Sequence, residues 1–246
     1  SLQATIDETG RFEFPQVEVV AGGSYALGVD YDGIFYKSTL GLDDLRDEVQ
    51  VTVYETTQDL SAVTVTRQLL VIAEVDEAER EIGALQFVNL SNGSDRTLVP
   101  DLSNPQQMSF LRFSLPPKSR EINVPGGQII SVGTGFALTA PVFPGDHTLS
   151  FSFRFPYEGN RVSYLERLLQ GADLYQVLVP QRLGDIEVAP LQSVPPIILE
   201  GITYLAWEGR EFDPGQGIVL ELSNLPEPSL LSRLSRSVSG VTFWTV

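Results

Sequence analysis

The chain has 246 residues, 42% of them hydrophobic, and its 32 acidic against 16 basic residues give a net charge of −16. This acidity disfavours partners with phosphate backbones or anionic membrane surfaces, so no nucleic-acid binding is expected. The absence of cysteine excludes disulfides, thiolate metal sites and cysteine nucleophiles. No apolar run of about 18 residues occurs, so no membrane span is predicted within the chain.

Turn residues and short apolar stretches alternate through the N-terminal segment. Asp7 and Gly10 predict a tight turn, because glycine adopts positive φ at little cost. Phe12 and Phe14 follow at the two-residue period of a strand, and another turn is predicted at Asp30–Gly33. These signals predict a small antiparallel meander.

The same residues spell T-x-D-x-x-G-x-F-x-F from Thr5 to Phe14, followed by G-x-Y-x-L-x-V and Y-x-G. This pattern resembles the carboxypeptidase regulatory-like domain, a transthyretin-like (prealbumin-like) β-sandwich, over about residues 4–55. The resemblance implies a non-catalytic role in supporting, spacing or docking neighbouring domains, and it brings no catalytic residues. The strand G-x-V-x-x that precedes the Thr-Asp turn in that family is missing here. We therefore expect either a sequence that starts inside the domain or a sheet completed by another segment.

After the N-terminal segment, Val49–Val53 alternates as a strand, and polar residues 56–61 follow as a linker to a second module. We place the first module at residues 1–58, the second at 59–228 and a C-terminal stalk or short helix at 229–246. About ten short strands with Pro-Gly turns predict that the second module is a larger antiparallel sandwich, immunoglobulin-like or jelly-roll-like. The fold class is therefore all-β, with two sandwich modules.

The second module is organised around Leu149–Phe155, where apolar and polar residues alternate strictly. Leu149, Phe151, Phe153 and Phe155 share one face, and we expect that face to be sealed against an opposing sheet. Two other stretches, Val162–Leu169 and Leu230–Val238, carry apolar residues at helical spacing and are predicted as helices.

Calcium is the ion that the acidic residues favour, since it takes six to eight oxygen ligands. Its candidate ligands are Asp30, Asp32, Asp43 and Asp44. The alternative interpretation, turn chemistry beside a solvated acidic loop, is the one that the pattern favours. Apart from calcium, no cofactor is expected.

Aromatic side chains in the second half offer a candidate ligand platform for carbohydrate, formed by Trp207, Tyr204 and Tyr157. Most of these rings alternate with apolar neighbours in predicted strands, however, which favours a place in the core. His147, the one histidine, follows Asp146 and precedes Ser150, but no G-x-S-x-G elbow accompanies them. We therefore do not expect an enzyme.

Together these features predict a non-catalytic module that spaces or docks a protein partner at a bacterial cell envelope. We expect it to be extracytoplasmic, in the periplasm or at the cell surface, and anchored by a segment outside this sequence. This placement depends on the resemblance and on chain ends that look cut. Two alternatives remain open: a carbohydrate-binding sandwich, and a subunit of an envelope assembly completed by strand exchange.

Overall fold

Short strands joined by turns make up the regular structure. The computed structural model describes residues 2–46, 48–101, 109–126 and 128–227. Within these ranges the chain forms β-strands, three single 3₁₀ turns and no α-helix. The all-β prediction is therefore confirmed. No helix in these ranges has the length and apolar character needed to cross a membrane.

The chain divides into two units, Ser1–Glu55 and Thr56–Val246, where the sequence predicted a division after residue 58. The helix predicted at Leu230–Val238, within the predicted stalk at 229–246, lies outside the described residues. The described strands are β1 (Tyr25–Tyr31), β2 (Ile34–Leu40), β3 (Thr56–Thr57), β4 (Val63–Asp76), β5 (Glu81–Asn92), β6 (Thr97–Leu98), β7 (Arg112–Phe113), β8 (Arg120–Asn123), β9 (Ile129–Val132), β10 (Gly135–Leu138), β11 (Gly145–Pro156), β12 (Val162–Leu168), β13 (Ala172–Pro180), β14 (Glu187–Ala189), β15 (Gln192–Leu199), β16 (Ile202–Phe212) and β17 (Gln216–Ser223).

The first unit contains one antiparallel hairpin, β1 and β2. Its two-residue turn is formed by Asp32 and Gly33, with φ angles of 52° and 74°, the conformation for which Asp-Gly is preferred. The turn predicted at Asp7 is also present, since Asp7 Oδ1 accepts hydrogen bonds from the Thr9 hydroxyl and amide at 2.7 and 2.8 Å. These bonds lower the pKa of the Asp7 carboxyl.

Two strands predicted in the first unit do not form. Phe12–Phe14 and Val49–Val53 have no ladder partner among the described residues, although their apolar residues alternate. Alternation gives a segment two faces, but a strand also needs a neighbour for its backbone hydrogen bonds. The Phe12 and Phe14 rings instead contact each other edge to face, with centroids 5.9 Å apart.

The second unit is built on a seven-stranded sheet with the order β15–β16–β13–β4–β5–β11–β8. The central hairpin of β4 and β5 and the following β11 pair over nearly their full lengths. Within this sheet one pairing departs from the antiparallel prediction, because β13 runs parallel to β4, and outside it the short strands β3 and β6 also pair in parallel. The sheet is therefore mixed, and the long chain segment between β4 and β13 supplies the crossover that a parallel pair requires.

Two three-stranded sheets, β7–β10–β9 and β12–β17–β14, form the layer that faces the seven-stranded sheet. The Phe136 ring of β10 meets the Phe151 ring of β11 edge to face, with centroids 4.9 Å apart. The Tyr164 ring of β12 lies 5.7 Å from that of Phe155. Phe151, Phe153 and Phe155 are fully buried. The prediction that this strand is sealed against a facing layer is therefore confirmed.

The helix predicted at Val162–Leu169 is wrong, since these residues form strand β12. The side chains that point inward are Tyr164, Glu166 and Leu168, at the two-residue period, while Leu165 is exposed. The sequence pattern was misleading because an acidic residue of this strand points inward and a leucine points outward, the opposite of the usual arrangement. Pairing with β17 on the edge of a sheet then decides the conformation.

Candidate functional site

The aspartates predicted to bind calcium lie in the hairpin and acidic loop of the first unit. Asp30 is the residue before the last in β1 and Asp32 is in its turn, while Asp43 and Asp44 lie at the Asp44–Arg46 3₁₀ turn. Asp44 Oδ2 accepts a hydrogen bond from the Gly41 amide at 2.7 Å, which is turn chemistry. Within the described ranges no group of three or more His, Asp or Glu side chains is arranged to hold a metal ion. Calcium binding stays a prediction.

The three predicted aromatic ligand residues do not share a surface. Trp207 is 8% exposed and belongs to the core cluster between the layers. Tyr157 is 2% exposed, and its hydroxyl donates a hydrogen bond to the Pro226 carbonyl at 2.7 Å. Burial raises the pKa of this hydroxyl. Tyr204 is half-buried, three residues from Trp207 in the same strand, and therefore lies on the opposite face of the sheet.

His147 and Asp146 make hydrogen bonds to different partners. The Nε2 atom of His147 lies 2.7 Å from the carbonyl oxygen of Phe143. The Asp146 carboxylate accepts a hydrogen bond from the Ser91 hydroxyl at 2.7 Å. This part of the chain therefore uses both side chains to fix the start of β11 against its neighbours.

A different feature stands out on the seven-stranded sheet, a row of apolar residues that crosses five of its strands. Directly paired residues of neighbouring strands point to the same face. Leu85 of β5 pairs with Val71 of β4, which pairs with Leu178 of β13. Leu178 pairs in turn with Ala206 of β16, and Ala206 with Val194 of β15. The row is continuous from the middle of the sheet to its edge.

This row lies on the face that points away from the core. Its members alternate along the strands with Leu70, Ala84, Val177 and Trp207, which belong to the core cluster between the layers. Leu178, although buried, is not part of that cluster. Since successive side chains of a strand point to opposite faces, the row must lie on the outer face.

Further apolar residues extend the row in both directions. Leu69 pairs with Phe87 on one side, and at the sheet edge Ile197 pairs with Tyr204. Leu85 is 39% exposed and Leu199, near the hairpin tip, is 47% exposed. We call this surface the outer strip. It consists of Leu69, Val71, Leu85, Phe87, Leu178, Val194, Ile197, Leu199, Ile202, Tyr204 and Ala206.

Charged side chains border the outer strip on two sides along the strand direction. On one side Glu208 Oε1 is 2.9 Å from Arg210 and its Oε2 is 3.0 Å from the Gln176 amide. These hydrogen bonds, that from Arg210 first, lower the pKa of Glu208. On the other side Arg154 forms ion pairs with Glu74 and Glu121. An apolar centre within a polar border is the usual anatomy of a protein–protein interface.

Sequence reasoning missed the outer strip, although a signal was present. The run Leu69–Ala73 is apolar at every position, and so is Val177–Val179. A strand with one solvated face alternates between apolar and polar residues, whereas a strand with two apolar faces reads as a continuous apolar run. These runs therefore indicate strands whose outer face is also suited to burial.

Comparison with known proteins adds little to this description. No family model and no curated protein matches the sequence. Among solved structures, an M1 zinc metallopeptidase from Deinococcus radiodurans matches with a TM-score of 0.39 at 13% identity, over 66% of this chain and 42% of that chain. A putative protease from Parabacteroides distasonis matches with a TM-score of 0.35 at 13% identity, over 66% of this chain and 40% of that one. The match thus spans about two fifths of those chains, and similarity this weak carries no functional argument.

Proposed function

We propose that this chain is a non-catalytic module that docks a protein partner at a bacterial cell envelope, and that the partner binds the outer strip. The observation that carries the proposal is the continuous apolar row from Leu85 to Val194 on the outer face of the seven-stranded sheet. Leu85 is exposed and Val71 and Val194 are half-buried, while Leu178 and Ala206 between them are buried. An apolar patch with a polar border usually marks a binding surface.

A protein is the partner that this surface fits best. The outer strip lies on a sheet face, offering flat apolar side chains rather than a deep cleft, and small-molecule sites are generally concave. The net charge of −16 disfavours an anionic membrane as the occupant. Carbohydrate binding through a row of rings is less well supported, because Trp207 and Tyr157 are buried and only Tyr204 lies on this face.

The sheet edge gives a further reason to expect docking through the face. The edge strand β15 contains Pro195 and Pro196, and its register with β16 shifts between Val194 and Ile197. Proline lacks the amide that an added strand would need, and a bulge interrupts a regular edge. These features oppose the addition of a partner strand along β15. The extracytoplasmic location belongs to the same proposal and derives from the resemblance of the N-terminal segment.

Site-specific photo-crosslinking in the source bacterium tests this proposal. A photoreactive amino acid replaces Leu85 in the full-length gene product, and in a control protein it replaces Leu165, which lies on the outer side of the opposite layer. The two leucines are matched, being 39% and 42% exposed. We expect a discrete protein adduct from position 85 that is absent from position 165.

Two results would overturn the proposal. One is the same set of adducts from both positions, which would indicate unspecific contact. The other is the absence of any protein adduct at position 85 while both proteins are folded and correctly located. An adduct with a second copy of this chain would identify the partner as the protein itself.

A further inference from the structure

A buried acidic residue lies between the two layers of the second unit. Glu166 is 2% exposed and points inward from β12, between Tyr164 and Leu168. An ionised carboxylate is costly to bury unless a positive charge accompanies it. In the described part of the chain, no lysine, arginine or histidine forms an ion pair with Glu166.

Glu166 connects the layers directly. Its Oε1 atom accepts a hydrogen bond from Gln68 Nε2 at 3.1 Å, and Gln68 belongs to β4 at the centre of the seven-stranded sheet. The Ser114 hydroxyl, just after β7, lies 3.4 Å from the same oxygen and accepts a hydrogen bond from the Arg167 amide at 3.0 Å. One carboxyl group thus joins β4, β12 and the segment after β7.

The surroundings of Glu166 favour its neutral form. Burial raises the pKa of Glu166 to about 8, against the opposing effect of hydrogen bonds from Ser114 and Gln68. The titratable groups that face it are Tyr164 on its own strand and Tyr175 on β13. Burial, followed by the nearby charge of Glu166, raises the pKa of both tyrosines, so they remain neutral. Arg67, the neighbour of Gln68, points to the other face of the sheet because side chains alternate along β4.

We propose that the Glu166 carboxyl group is a pH-sensitive lock between the two layers. When protonated, it holds the β12–β17–β14 sheet against the seven-stranded sheet. When it loses its proton, a negative charge without a counter-ion remains between the layers, and the smaller sheet separates first. The smaller sheet is the element that moves, because β12 and β14 are its edge strands and it has only three strands.

The direction of the pH effect follows from the two protonation states. The pKa of Glu166 is higher in the folded protein, about 8, than its ordinary value of 4.5. The folded protein therefore holds the proton more tightly. The resulting stabilisation is fully present below pH 4.5, declines as the pH rises above that value and is lost by about pH 8.

Urea denaturation of the full chain at pH 5 and pH 9 tests the lock. We expect the unfolding equilibrium constant of the unaltered protein to increase on the order of a hundred- to a thousand-fold more between these pH values than that of Glu166→Gln. Glu187→Gln, an exposed position on β14 of the same small sheet, is the matched control and should behave like the unaltered protein. If Glu166→Gln keeps the full pH dependence, the proposal is wrong.

Two further measurements keep the test decisive. The ¹³C chemical shift of the Glu166 carboxyl in the unaltered protein should titrate with a midpoint above pH 7, and a midpoint near 4.5 would overturn the proposal even if Glu166→Gln does not fold.

Hydrogen exchange, corrected for intrinsic rates, should show that amides of β12 and β17 open more as the pH rises while those of β4 and β5 do not. Uniform opening of all four strands would contradict a lock on the smaller sheet.

Discussion

The two faces of the seven-stranded sheet differ in what covers them, although the same strands build both. On the inner face Phe151, Phe153 and Phe155 pack against the rings of the facing sheets and are fully buried. On the outer face Leu85 is 39% exposed, Val71 and Phe87 beside it are half-buried, and only Leu178 and Ala206 further along the row are buried. The comparison shows that one sheet can present a finished core on one side and a partly exposed apolar surface on the other.

The difference between the faces does not lie in their hydrophobicity alone. Leu70 and Val71 are consecutive in β4, and each is paired with an apolar residue of β13, namely Val177 and Leu178. Only the inner pair belongs to the core cluster of the second unit. Burial is uneven along the outer face, since Leu178 is 1% and Leu85 39% exposed. The exposed part of the outer strip is the part that we propose to bind a partner.

The largest expected effect tests whether the inner face is the core. Phe151→Ala should lower the free energy of unfolding by about 3–5 kcal/mol, because it leaves a cavity among packed rings. Ser150→Ala, one residue away on the outer face, should change it by about 0.5 kcal/mol or less. Urea denaturation measures both, and similar costs for the two variants would break the comparison.

The next effect compares the same substitution on the two faces. Leu70→Ala on the inner face should cost about 2–5 kcal/mol. Leu85→Ala on the outer face should cost less than about 1 kcal/mol, since this side chain remains partly exposed in the folded protein. Thermal or urea unfolding of both proteins checks this. A cost for Leu85→Ala as large as that of Leu70→Ala would place the outer strip in the core.

A smaller effect concerns two tyrosine hydroxyl groups buried in the core between the layers. The Tyr157 hydroxyl donates a hydrogen bond to the Pro226 carbonyl, so Tyr157→Phe should cost about 1 kcal/mol. The Tyr175 hydroxyl has no hydrogen-bond partner among the described residues, so Tyr175→Phe should leave stability unchanged or raise it by up to about 1 kcal/mol. The opposite order of the two variants, measured by urea denaturation, would contradict the assignment of these contacts.

The inner face could be predicted from the sequence because its signal is local. In Leu149–Phe155 the residues of the opposite face are polar, so the two-residue period is visible within a few residues. In strand β12 the two-residue period is not visible as an alternation of apolar and polar residues, because Glu166 points inward and Leu165 outward. Glu166 points inward because it accepts a hydrogen bond from Gln68, which is 98 positions away in the sequence. A local sequence pattern cannot show a contact between such distant residues.

The outer strip could be predicted only in part. The apolar run at Leu69–Ala73 indicated two apolar faces, but the strip becomes a surface only through the register of five strands. One of these pairings, between β4 and β13, is parallel and joins segments that are far apart in the chain. Periodicity describes each strand alone, so it cannot show which strands become neighbours.

The most direct test of the outer strip as a docking surface is the affinity of the crosslinked partner for two charged variants. Leu85→Lys places a charge in the outer strip, and Leu165→Lys places one at an equally exposed position on the opposite layer. The account predicts that Leu85→Lys weakens binding at least about tenfold, or about 1.4 kcal/mol, while Leu165→Lys binds like the unaltered protein and both remain folded. Equal affinities of the two variants would contradict it.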